Sequence, residues 1–234
     1  AAIEDIVGPI LDAGQDVQLH CHAEWLAHAG KAHPLSSRAM GKNLTDFAFE
    51  DQCALLDYAR GTLVAAGAPP PVAFRAGNYG ANDDTLRALA AIGMHYDSSH
   101  CPAIVDGACQ ISLGPDCRDP VGHMGVIEVP IGSIGTMGGG QRHAQITALT
   151  LDEMLAAIRH ARDGGRHSFT LVSHSFELIN RRKMAVNRVV RRRFAGLVKA
   201  LAAMRGVETG SYAATPPMPL LVTGANEPLP ASAV

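Results

Sequence analysis

The chain has 234 residues, 47% of them hydrophobic and 18% charged, with 20 Lys and Arg against 22 Asp and Glu for a formal net charge of -2. That length suffices for one sizeable core, and the near-neutral balance argues against a surface built for phosphate-rich nucleic acid. No apolar run is long enough to span a bilayer, no charged leader opens the chain, and Cys21, Cys53, Cys101, Cys109 and Cys117 form no CxxC pair, so reduced thiols and a cytoplasmic setting are expected.

Residues 1–13 read as an amphipathic helix with Ile3, Ile6, Val7, Ile10 and Leu11 on one side and Gly14 as its C-cap. An α/β unit ordinarily has a strand before such a helix, so the sequence is expected to start inside a domain. Asp16–His22 is the first expected strand. Residues 23–45 lack periodicity, and a loop of this length after a strand end is read as bordering a site, with His28, His33, Pro34, Ser36 and Ser37 in it. Thr45 or Asp46 can cap a helix reaching Ala66, and Val72–Arg75 forms a short strand that meets the turn Ala76-Gly77-Asn78-Tyr79-Gly80.

A helix capped near Asn82, Asp83 or Asp84 runs to Ile92, followed by a strand over 94–99 and another over Val126–Pro130. Residues 131–142 are a glycine-rich loop. Thr150 caps a helix through Arg162, and Ser168–Ser173 is a strand ending at His174. A long helix is expected over Asn180–Met204, its arginine-rich run read as a solvated face in preference to an anion-binding one. Val207–Thr209 reads as a last short strand. A single domain is expected over 1–215, with a proline-rich tail over 216–234.

Alternating strands and helices imply a parallel sheet, open or closed into a barrel, and chemistry in such folds gathers where strands end. His20, Arg75, Asp97, Glu128 and His174 all fall at or near expected strand ends, although Glu128 also fits a packed, satisfied carboxylate. Alternation along a strand puts His20 and His22 on one face, which is how a protein presents a divalent metal, with Glu24 close by. Cys21 between them points the other way, into the core. Trp25, the chain's one tryptophan, reads either as core or as a platform for a sugar ring.

Four segments then carry a resemblance: His20-Cys21-His22-Ala23-Glu24, Phe74-Arg75-Ala76-Gly77-Asn78-Tyr79-Gly80, Tyr96-Asp97-Ser98-Ser99 and Leu171-Val172-Ser173-His174. In their order they resemble the motifs of the NodB-type polysaccharide deacetylases, over residues 1 to about 213. The resemblance implies a deformed (β/α) barrel, incomplete at the N-terminus, and a metal-dependent hydrolase that removes acetyl groups from an acetylated oligo- or polysaccharide. His20 matches the first metal histidine. The second falls at Glu24, so Glu24 or His22 completes the set, and the divalent ion is expected to be zinc.

By the same resemblance Arg75 orients a catalytic aspartate, Tyr79 offers its backbone N–H to the oxyanion, and Asn78 and Trp25 contact substrate. Asp97 positions His174, the general acid. The family's aspartate pair, which supplies the base and a metal ligand, has no counterpart on a strand before His20 and is expected upstream of residue 1. Two rival readings remain: an amidohydrolase or phosphoesterase type of metal barrel, which leaves Arg75 and Tyr79 unused, and a non-catalytic carbohydrate-binding relic of the deacetylase fold. The subunit number is left open.

Overall fold

The computed structural model describes residues 2–29, 34–35, 41–105, 107–218 and 221–222. Helix α1 (Glu4–Asp12) ends at Gly14, whose φ of +67° supplies the left-handed turn a side chain would resist. Of its apolar residues only Val7 is buried, while Ile3 and Ile6 face solvent. Strand β1 (Leu19–Cys21) leads into a 3-10 turn at Ala23–His28, and a second 3-10 turn at Leu44–Asp46 precedes α2 (Phe49–Ala65). Asp46 does not cap α2. Its carboxylate accepts from the N–H groups of Lys42 and Asn43 at 2.8 and 3.0 Å, which closes the shorter turn and delays the helix.

Strand β2 (Ala73–Ala76) ends in a 3-10 turn at Gly77–Tyr79, and α3 (Asp83–Ala91) starts at Asn82, where Asn82 and Thr85 form a reciprocal cap. Strands β3 (Tyr96–Asp97), β4 (Val121–His123), β5 (Val126–Glu128), β6 (Ser133–Gly135) and β7 (Gln141–His143) follow. Helix α4 (Leu151–Asp163) is capped by Thr150 as the sequence predicts, and Glu153 completes a reciprocal box with it. The chain continues through β8 (Ile179–Asn180), β9 (Ala185–Val186), α5 (Arg188–Ala203) and β10 (Leu221–Val222).

Six strands form one sheet in the order β1-β2-β3-β5-β4-β10. Strands β1, β2, β3 and β5 run parallel, β4 is antiparallel to β5, and β10 is parallel to β4. The result is a mixed α/β fold around a largely parallel sheet. Register aligns His20 with Arg75 and Asp97 with Glu128, but Asp97 faces Phe74 across β2–β3, one residue short of Arg75, and His174 is on no strand of this sheet. One core cluster packs Leu19, Phe74, Leu56, Leu86, Leu89 and Met94 between the sheet and α2 and α3; a second gathers Ile146, Leu149, Met154, Ile158, Val190 and Leu197 around α4 and α5. All five cysteines are free, and burial raises Cys21 to about 11, in keeping with its reading as core.

Several elements differ from expectation. Residues 168–173 make only isolated parallel bridges, Thr170 to Ile131 and Val172 to Gln145, because the extended segment changes partner within two residues. The long helix starts at Arg188, not Asn180. Met184 sits at φ +42°, which a right-handed helix does not tolerate, and residues 179–186 form the β8–β9 hairpin instead; Asn187 then caps α5 by accepting from the Val190 N–H. No strand forms at 207–209, whereas Leu221–Val222, inside the stretch read as a tail, pairs with β4. Strand β4 and the β6–β7 hairpin are unforeseen. Asp16 Oδ2 accepts from the backbone N–H groups of Tyr212 and Ala213 at 2.9 and 3.3 Å, tying the segment before β1 to the segment after α5. Among the described residues no helix is long and apolar enough to cross a membrane.

Candidate active site

The site is built on the carboxyl ends of β1 and β2. His20, on β1, places Nδ1 2.7 Å from the carbonyl oxygen of Arg75, its register partner on β2. The carbonyl can only accept, so Nδ1 carries the hydrogen and Nε2 keeps its lone pair. The His20 residue is partly open to solvent, yet the protein packed about its ring, and next the charge of Arg75, lower its pKa to about 4; His22 and His174 add to this against the pull of the Arg75 carbonyl. His20 is therefore neutral near pH 7, the form that donates to a metal.

His22 lies just past the strand, its ring edge-on to His20 with centroids 4.8 Å apart. Its Nδ1 is 3.0 Å from Glu24 Oε1, an oxygen that also accepts from Asn78 Nδ2 at 3.1 Å. Burial would raise the Glu24 carboxyl, but its own backbone N–H, His22 and Asn78 outweigh this and hold it below the usual range. Glu24 is thus spent on orienting His22, although its Oε2 is buried with no hydrogen-bond partner. Close approach of the β2 turn fixes the ring: a Cβ added to Gly77 would lie 2.6 Å from His22 Cγ and Nδ1. Asn78 also reaches Asn43 Oδ1 at 3.4 Å, so its amide ties two loops together.

Both imidazoles have Nδ1 engaged by an oxygen, the arrangement that fixes tautomer and ring orientation in histidine metal ligands. The donor chemistry fits a divalent ion as a pair. Among the described residues, however, no three His, Cys, Asp or Glu side chains gather into a metal-binding set.

His174 approaches from the other end of the chain. Asp97 is not its partner. The His174 Nδ1 is 3.3 Å from Glu177 Oε1, and the His174 backbone N–H donates to Glu177 Oε2 at 3.0 Å. Glu177 is buried and also accepts from Gln145 Nε2 and from Thr147 Oγ1. Burial pushes its carboxyl up, but these donors, with the His174 N–H first, outweigh it and hold the group ionised below the ordinary range. The sequence reading missed Glu177. Its spacing of three from His174 is the capping-box spacing, and that signal was available.

Asp97 is fully buried one strand further on, accepting from Ser99 N at 3.0 Å and Ser99 Oγ at 2.8 Å; Ser99 Oγ in turn accepts from Ala76 N. Beside it Glu128 accepts from His100 N at 2.9 Å, while its Oε2 has no donor. Two carboxyl groups this deep do not both ionise. Burial first, then the neighbouring Asp97 charge, raises Glu128 well above its usual value, and burial raises Asp97 as well. The pair braces the floor of the strand ends through Ser99 and does not reach the His174 ring.

Tyr79, at φ +57°, turns its ring edge towards His143 with centroids 5.9 Å apart. Its hydroxyl is buried with no hydrogen-bond partner, and burial first, then the Cys101 thiol, pushes it up to about 12. Trp25 is 69% exposed on the 3-10 turn after His22, so it is surface and not core. His28 ends that turn and is exposed, while His33, Ser36 and Ser37 lie outside the described residues. Among the described residues the Arg75 guanidinium forms no ion pair.

With this geometry in view, comparison with solved structures finds a neighbour of similar fold. A crystal structure named "putative polysaccharide deacetylase from Mycobacterium smegmatis" superposes with a TM-score of 0.56 at 17% identity, covering 90% of this chain and 64% of that one. The fold is shared. This chain spans just under two thirds of that protein's length. No family model and no curated protein matches the sequence.

Proposed function

We propose that the chain is a hydrolase removing acetyl groups from an acetylated glycan, on a deformed barrel of the kind the deacetylases use. The observation that carries this reading is the meeting of distant parts of the sequence: His20 bonds to the Arg75 backbone, and the charges of Arg75, His22 and His174 all act on the His20 ring. The shared fold with a structure named as a deacetylase supports the same choice, and the rival metal barrels leave Arg75 and Tyr79 without a task.

A divalent ion, zinc first, would be held by His20 and His22 through Nε2; bound there it lowers the pKa of a water towards about 7 and polarises the acetyl carbonyl. Glu24 keeps the His22 ring in the donating tautomer. The Tyr79 backbone N–H, on the turn after β2, would donate to the substrate carbonyl as charge builds on its oxygen. His174 presents Nε2 to the leaving nitrogen or oxygen and delivers its proton there. Glu177 takes the place expected of Asp97: it holds Nδ1–H, fixes the ring and stabilises the charged imidazolium. Trp25 offers an exposed face on which a sugar ring can stack.

The reading is tested by measuring zinc content together with acetate release from acetylated chitooligosaccharides and acetylated xylan. Bound zinc and released acetate are expected. A folded chain that takes up no zinc and frees no acetate from either glycan overturns the proposal.

A further inference from the structure

Between Leu178 and Val207 the chain holds nine of its twenty Lys and Arg residues and no Asp or Glu, although the whole sequence is net acidic. The sequence suggested a solvated helix face. The structure divides the run between a hairpin and a helix start. Arg181, Arg182 and Lys183 form the exposed turn between β8 and β9, and Arg188, Arg191 and Arg192 are exposed on the first turns of α5. Among the described residues none of these six has a carboxylate within ion-pairing distance.

Fold stability does not account for them. The first turn of α5 contains no acidic residue, and cations there oppose the positive end of the helix dipole. Apolar residues are interleaved with the charges. Ile179 and Val186 are directly paired across the hairpin and so share one face, and both are about half exposed. Met184 is 82% exposed at the tip with φ +42°, a conformation that favours glycine or asparagine, so turn geometry did not select methionine. Val189 is 65% exposed on α5.

We infer that the β8–β9 hairpin and the start of α5 are a contact surface for an anionic phospholipid bilayer. Arginine and lysine meet the headgroup phosphates, while Met184, Ile179 and Val186 enter the acyl boundary. A soluble polyanion would use the charges but gains nothing from aliphatic side chains, which do not stack on sugars; the apolar tip therefore favours the bilayer. The surface adjoins the candidate site, since Arg181 lies 4.7 Å over the Phe176 ring and Phe176 stacks on His174 at 4.9 Å. Docking brings that side of the site to the headgroup layer.

The test is sedimentation of the full chain with vesicles of phosphatidylcholine alone and of phosphatidylcholine mixed with phosphatidylglycerol. It needs no substrate, so its outcome is independent of the hydrolase reading. Binding only to the mixed vesicles, weakening as salt rises, is expected. The combined Arg181→Ser, Arg182→Ser and Lys183→Ser variant should lose about 100-fold in partitioning, roughly fivefold for each charge removed. Lys199→Ser, about three turns further along α5, should lose little. Met184→Ser should weaken vesicle binding severalfold and leave binding to dextran sulfate unchanged. Circular dichroism melts confirm that these exposed positions leave folding intact. Equal binding to uncharged vesicles, no binding to either kind, or a Met184→Ser variant that binds mixed vesicles like the parent overturns the inference; the last result reassigns the surface to a soluble polyanion.

Discussion

Two imidazole arms meet in this molecule, and they are held in different ways. On the β1 arm His20 is fixed by a backbone carbonyl and His22 by a half-exposed carboxylate, with a glycine pressed against its ring. On the far arm a single buried carboxylate, Glu177, takes both the ring and the backbone of His174 and is itself held by Gln145 and Thr147. The first arrangement fixes each tautomer, with a neutral carbonyl at His20 and an ionised, half-exposed carboxylate at His22, and in the proposed function it would suit rings that lend a lone pair. The second places a full negative charge behind a ring that, in the proposed function, would accept and release a proton. On the proposed reading the two arms would serve different halves of one hydrolysis.

The largest expected effect separates the arms directly. His174→Gln should lower acetate release by about 10² to 10⁴ while leaving zinc uptake unchanged. Glu177→Gln should cost roughly 10²-fold, the lower end of that range, and imidazole nitrogen NMR should report a change of His174 tautomer as the carboxylate acceptor is replaced. A loss of zinc in either variant would merge the two arms into one and break the comparison.

Gly77→Ala probes the other arm. A methyl 2.6 Å from the His22 ring must displace the ring or the β2 turn, at a cost of about 1–3 kcal/mol in thermal unfolding, and zinc uptake should fall. Unchanged zinc binding in this variant would remove His22 from the ligand set.

The smallest expected effect is in the pH dependence of melting. His20 has a folded pKa depressed to about 4 from 6.5, so the folded state binds fewer protons there; its contribution is present above pH 6.5 and lost as pH falls towards 4. Glu177 is depressed from 4.5, so its contribution is lost only as pH falls below that value. His20→Gln should flatten the upper limb and Glu177→Gln the lower one. Buried His100, also depressed to about 4, leaves part of the upper limb in place. Glu128 has the opposite sign: raised in the fold, it costs stability as pH climbs above 4.5, and Glu128→Gln should relieve that loss.

What the sequence made legible follows from where the signal is local. Caps at Asn82 and Thr150 and the strand ends at His20 and Arg75 depend on neighbouring residues, and they stand where the pattern puts them. Asp97 was placed on the right strand but given the wrong partner, because nothing local distinguishes a carboxylate aimed at the mouth from one buried against Glu128. The helix expected from Asn180 failed at Met184, whose backbone angle is set by the hairpin around it and not by methionine's own preference. Strand β10 was unreadable for the same reason: two residues pair with β4, far away in sequence, and no periodicity announces them.

The Asp16 contact reaches further than its exposed position suggests. One carboxylate oxygen clasps backbone N–H groups 196 and 197 residues downstream, four residues before His20. Closing so long a loop costs entropy that grows only with the logarithm of its length, so a weak clasp suffices once the sheet has formed. Any pull on the chain after α5 is therefore transmitted to the base of β1, and a neutral residue at position 16 would let those distant segments move apart without disturbing the core between them.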